Sequence, residues 1–70
     1  MNDRDYMIEK AKLGITRSVA FNGRLYINSL KRTYPWLTDQ EVGRIVDELV
    51  SSAVVKREFG KKRGEQLVRP

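Results

Sequence analysis

The chain has no cysteine and no histidine in its 70 residues, and only two prolines. Without cysteine there is no disulfide to staple a small fold, no thiol nucleophile and no thiolate ligand. Without histidine there is no imidazole base, and the usual Cys/His sets for structural zinc are excluded. No glycine-rich phosphate loop follows a strand, and the acidic residues are spread along a surface pattern rather than paired in an apolar pocket. Catalysis is therefore not expected, nor is a cofactor. Long hydrophobic runs are missing too, so no membrane association is expected. The opening "MNDRDYMIEKAK" is charged throughout, unlike a secretory leader. A soluble protein of a reducing, cytoplasmic compartment is the expectation, nucleoid-associated if the source is bacterial.

What remains is a single domain over residues 1–70 with 40% hydrophobic residues. A chain this short buries only about 60% of the surface it exposes when unfolded, so its stability is expected to be marginal. The charge is the most informative feature. Fourteen Lys/Arg against nine Asp/Glu give a net charge of +5 and a pI near 9.9. The excess is uneven: residues 1–30 carry five basic and three acidic groups (+2), residues 31–50 three and four (−1), and residues 51–70 six and two (+4). A basic balance of this kind directs attention to polyanions; its plain alternative is solubility.

Periodicity assigns the elements. In "TDQEVGRIVDELVSS", residues 38–52, Val42, Ile45, Val46, Leu49 and Val50 form one helical stripe. Thr38 followed by Glu41 makes a capping box, with Leu37 and Val42 as its hydrophobic staple. Pro35 breaks whatever precedes it. Upstream, Tyr26, Ile27, Leu30 and Tyr34 fall at helical spacing. Their helix either begins near Asn22-Gly23, leaving "ITRSVAF" extended, or is one long helix capped by Thr16 and running to Thr33. The N-terminal piece, residues 1–14, reads as a short helix capped by Asn2 or Asp3, with Lys10 and Lys12 in its last turn and Gly14 ending it. After Ser52, "VVKREF" and "EQLVRP" flank "GKKRG", the pattern of a β-hairpin over residues 54–69. The expected fold is mainly α with a C-terminal β-hairpin.

The segment "LTDQEVGRIVDELVSSAVVKREFGKKRGEQLVRP" resembles the winged helix-turn-helix family: a capped amphipathic helix, an apolar-basic strand, a glycine-flanked basic tip and a returning strand. The likeness covers residues 22–70 well and the N-terminus loosely. It implies three helices plus a wing, with residues 22–52 as the helix-turn-helix. It also implies that the 38–52 helix lies in the DNA major groove while the wing reaches the backbone or minor groove. On this resemblance Gln40 and Arg44, one turn apart on the outward face, would read bases, and Gly43 would permit close approach. Lys61, Lys62 and Arg63 at the tip, with Lys56 and Arg57 on the strand, would contact phosphates. Arg24, Lys31 and Arg32 would add backbone contacts.

Each assignment has a plainer alternative. The helix face, which also carries Asp39, Glu41, Asp47 and Glu48, could be merely solvated, and the tip a solubilising turn that protects a sheet edge. Tyr26, Tyr34, Trp36 and Phe21 are expected in the core rather than as stacking platforms. The resemblance implies double-stranded DNA as partner, for a transcriptional regulator or an excisionase-like architectural factor of a bacteriophage or mobile element. A homodimer through Tyr6, Met7 and Ile8 is a second expectation. The alternative function is a protein-protein interaction module, such as a regulator or inhibitor of a larger complex.

Overall fold

The computed structural model describes residues 3–60 and 64–70. Its elements run α1 (Asp3–Asn22), β1 (Arg24–Tyr26), α2 (Ile27–Thr33), α3 (Asp39–Ser51), β2 (Lys56–Gly60) and β3 (Gly64–Val68). The described residues are thus mainly helical, with three helices and one three-stranded antiparallel sheet.

α1 is longer than its sequence suggested. Asp3 and Asp5 suit its first turn, as expected, but Gly14 does not end it. Ile8, Ala11, Ile15 and Val19 form one inward stripe, and burying it outweighs the weak helix preference of residues 15–22. Gly14 sits mid-helix because a Cβ there would meet the Tyr34 hydroxyl, so its smallness serves packing. The segment "ITRSVAF" is accordingly helical, neither extended nor the start of a helix reaching Thr33. α1 stops at Gly23, whose φ of +86° suits glycine and whose N–H donates to Val19 O at 2.8 Å.

The Arg69 guanidinium completes that end. It donates to Ala20 O at 3.0 and 2.7 Å and to Phe21 O at 3.3 Å. A cation borrowed from the far end of the chain thus takes the role that a basic residue in the last turn of α1 would have.

The helix expected from about Gly23 begins only at Ile27. Arg24 and Tyr26, placed on that helix by spacing, belong instead to β1, a strand that the sequence did not announce. β1 pairs with β3, so the hairpin grows into a sheet of order β1-β3-β2. In register, Leu25 and Arg57 flank Leu67, Arg24 and Lys56 flank Val68, and Tyr26 and Glu58 flank Gln66. Strand alternation puts Leu67, fully buried, on the core face and the Val68 row on the other.

α3 follows the expected bounds closely. Thr38 Oγ1 accepts from the Glu41 N–H at 3.1 Å, and Glu41 Oε1 accepts from the Thr38 N–H at 2.9 Å, closing the capping box. Val42, Ile45, Val46 and Leu49 are buried, and Val50 packs at the margin. They meet Ile15 and Val19 of α1, Leu30 of α2, Leu37, Val55 and Leu67 in a single core.

Candidate nucleic-acid interface

The outward face of α3 carries Gln40, Arg44, Asp47 and Ser51, all exposed. Its four carboxylates would repel phosphate if left alone. None is left alone. Asp39 pairs with Lys31 of α2, and Glu41 is held by Arg4 of α1 through Nε at 2.8 Å and a second, closer contact through Nη2. Asp47 receives Arg57 of β2 at 3.1 Å, and Glu48 receives Lys12 of α1 at 2.9 Å. Every acid of α3 thus has a cation from another element beside it, Lys12 being shared with Glu9 and Arg57 with Glu65, and these pairs also pin α1, α2 and β2 to α3.

The cost of this arrangement falls on two predicted contacts. Lys31 is engaged with Asp39, and Arg57 is engaged twice. Its Nη2 lies 2.7 Å from both carboxylate oxygens of Glu65, and its Nη1 reaches Asp47. The bond to Glu65, and then the charges of Glu65 and Asp47, push the guanidinium pKa above its ordinary value. Lys12 is likewise raised, first by Glu9 at 2.8 Å and then by Glu48. Glu41 moves the other way, pulled down to about 2, mainly by Arg4 and then by the Thr38 N–H.

Among the described residues, Arg24, Arg32, Arg44 and Lys56 have no carboxylate partner. Arg24 and Lys56 stand in one row of the sheet on either side of Val68, about 10 Å apart by strand spacing. Arg44 stands on α3 one turn beyond Gln40. Lys61, Lys62 and Arg63 lie outside the described residues; the strands that lead to them end at the facing pair Gly60 and Gly64.

Arg4 is a neighbour of α3 that sequence reading missed. It donates to Trp36 O at 2.8 Å as well as to Glu41, and its guanidinium lies over the Trp36 ring, 5.2 Å from the centroid. Trp36 meets Tyr34 edge-on at 6.1 Å, and both pack against the core as expected. Phe21 does not join the core: it is 86% exposed, as is most of Phe59 on β2. Ile8, expected with Tyr6 and Met7 at a dimer contact, packs inward; Tyr6 and Met7 face outward.

A hollow of about 170 Å³ between α1 and α3 is lined by Asp5, Glu9, Lys12, Glu41, Arg44 and Glu48 around Ile8 and Ile45. Its walls are mixed in charge. Among the described residues no acidic cluster could hold a metal ion, and no helix is long and apolar enough to cross a membrane. Compared with known proteins, the chain matches no family model, no curated protein and no solved structure.

Proposed function

We propose that this chain is a small DNA-binding domain that lays α3 against duplex DNA and reaches the phosphate backbone with the hairpin. The observation that carries this reading is that every carboxylate of α3 has a cation from another element against it. With its four carboxylates held by Lys31, Arg4, Arg57 and Lys12, the helix carries no acid without a cation beside it, and its outward face offers Gln40 and Arg44. Those side chains suit adenine and guanine edges. The three helices followed by the β2–β3 hairpin support this reading, since that is the order the resemblance implies.

The unpaired Arg24, Arg32 and Lys56, together with Lys61, Lys62 and Arg63 read from the sequence, are the proposed phosphate contacts. Arg57 and Lys31 are better described as organising residues that hold the hairpin and α2 against α3. A regulator or excisionase-like architectural factor is the class of activity this reading implies, and no catalytic step is part of it.

The test is a titration of random-sequence duplex with wild type and with the triple alanine variant of Lys61, Lys62 and Arg63. Each lost phosphate contact flattens the log–log salt slope by about 0.9, so the triple variant should lose roughly 2.7. On a selected binding sequence, Arg44→Ala should cost about 1–3 kcal/mol of discrimination. Failure of the wild type to bind, or identical affinity and salt slope in both proteins, overturns the proposal.

A further inference from the structure

α1 has a second patterned face, in which apolar and basic residues alternate. Opposite the buried stripe, Tyr6, Lys10, Leu13, Arg17 and Ala20 follow one another at spacings of four, three, four and three, the repeat of a helix-pairing seam. Tyr6 is 55% exposed and Leu13 48%, with Phe21 at the edge of the same face. Tyr6 and Lys10 meet each other, the ammonium 5.4 Å from the ring centroid, and none of these side chains joins the core.

The face is self-complementary about Leu13. Stepping outward from it, Glu9 and Arg17 lie four residues to either side, and Tyr6 and Ala20 lie seven. Arg17 has no carboxylate partner among the described residues, while the Glu9 carboxylate, bound to Lys12 at 2.8 Å, remains 63% exposed. Two shallow hollows open on this helix, one lined by Tyr6, Glu9, Lys10 and Leu13, the other by Arg17, Ala20 and Phe21 with their neighbours. The first includes Leu13 itself and the second lies C-terminal to it.

We propose that this face binds a second copy of the chain, the two α1 helices running antiparallel with Leu13 against Leu13 on the dyad. Glu9 of each copy then faces Arg17 of the other, and each Tyr6 ring seats over Ala20 in the hollow beside Phe21. A parallel pair would instead stack Lys10 on Lys10 and Arg17 on Arg17, which like-charge repulsion opposes. The antiparallel arrangement is a closed two-fold interface, in which one patch serves both partners. It is independent of the DNA reading and is tested without nucleic acid.

Because the chain lacks cysteine, a single Leu13→Cys substitution reports the geometry cleanly. Mild oxidation should link this variant into a disulfide dimer, whereas Phe59→Cys, on the distant hairpin, should link far less. In sedimentation equilibrium the wild type should self-associate with concentration. Leu13→Glu should remain monomeric with an unchanged circular dichroism spectrum. Glu9→Arg and Arg17→Glu should each weaken association by roughly 3- to 10-fold, and the two together should recover it. A wild type that stays monomeric, a dimer indifferent to Leu13→Glu, or equal cross-linking at positions 13 and 59 overturns the proposal.

Discussion

Arg57 on β2 spans two elements at once: its Nη1 lies 3.1 Å from Asp47 of α3 while its Nη2 holds Glu65 of β3. The hairpin is thereby tied to the helix proposed to lie in the groove. The same contact sets a cation against one carboxylate of that helix's outward face. All three groups are accessible to water, so the tie sets orientation more than it stabilises the fold.

Arg57→Met keeps the aliphatic stem and removes both bonds. Unfolding free energy should fall by no more than about 1 kcal/mol at low salt, as for other exposed pairs. The difference should shrink at high salt, where the charges are screened. Urea midpoints of the two proteins at two ionic strengths check this, and a larger loss that is insensitive to salt would contradict it.

Glu41 makes stability depend on acid. Its carboxylate, ordinarily near 4.5, is held at about 2 in the folded chain by Arg4 and the Thr38 N–H. A depressed folded pKa gives stability that is fully present above the unfolded value and is lost as pH falls through the folded one. Wild type should therefore exceed Glu41→Gln by a constant margin above pH 4.5, and the margin should close between 4.5 and 2. Arg4→Met, by letting the folded pKa rise back toward 4.5, should shrink the acid-sensitive margin and complete its closure at higher pH. Urea midpoints of the three proteins across this range measure it.

The parts of the fold that local chemistry dictates were readable in the residues. Thr38, Glu41 and the Val42–Val50 stripe specify α3 almost to the residue, because cap and periodicity agree. The glycine pair 60 and 64 announced the hairpin. Residues 15–26 misled because their structure is set from a distance. Gly14 reads as a terminator until Tyr34 is seen above it, and β1 is strand only because β3 offers Leu67 and Val68 as partners. The pairing of α3's acids was equally hidden, since Arg4, Lys12, Lys31 and Arg57 are brought together only by the tertiary fold.

Gly43 lies within α3, exposed, and a Cβ built there meets nothing within 4 Å. Helix propensity alone then favours alanine by about 1 kcal/mol. Gly43→Ala should raise the urea midpoint accordingly. It should also weaken duplex binding with the salt slope unchanged, since the added methyl stands beside Arg44 without touching any phosphate contact. Stability and affinity moving in opposite directions would mark this face as the docking surface; unchanged affinity would move the surface elsewhere.

Ala53 offers the clearest gain in stability. α3 ends in a Schellman motif, with the Val54 N–H donating to Leu49 O at 3.1 Å and the Ala53 N–H to Val50 O at 3.0 Å. That motif needs a left-handed residue where Ala53 stands, and its φ is 58°. An L-residue with a Cβ is held there at a cost of roughly 1–2 kcal/mol, which glycine avoids. Glycine gives back part of this through the greater freedom of its unfolded chain, about 0.5–1 kcal/mol. Ala53→Gly should therefore stabilise by up to about 1 kcal/mol, raising the urea midpoint without changing the m-value. Ala53→Val, whose branched side chain tolerates this region worst, should lower it by more than the glycine raises it. If the two substitutions shifted the midpoint equally and in the same direction, the left-handed turn would not be what stops α3.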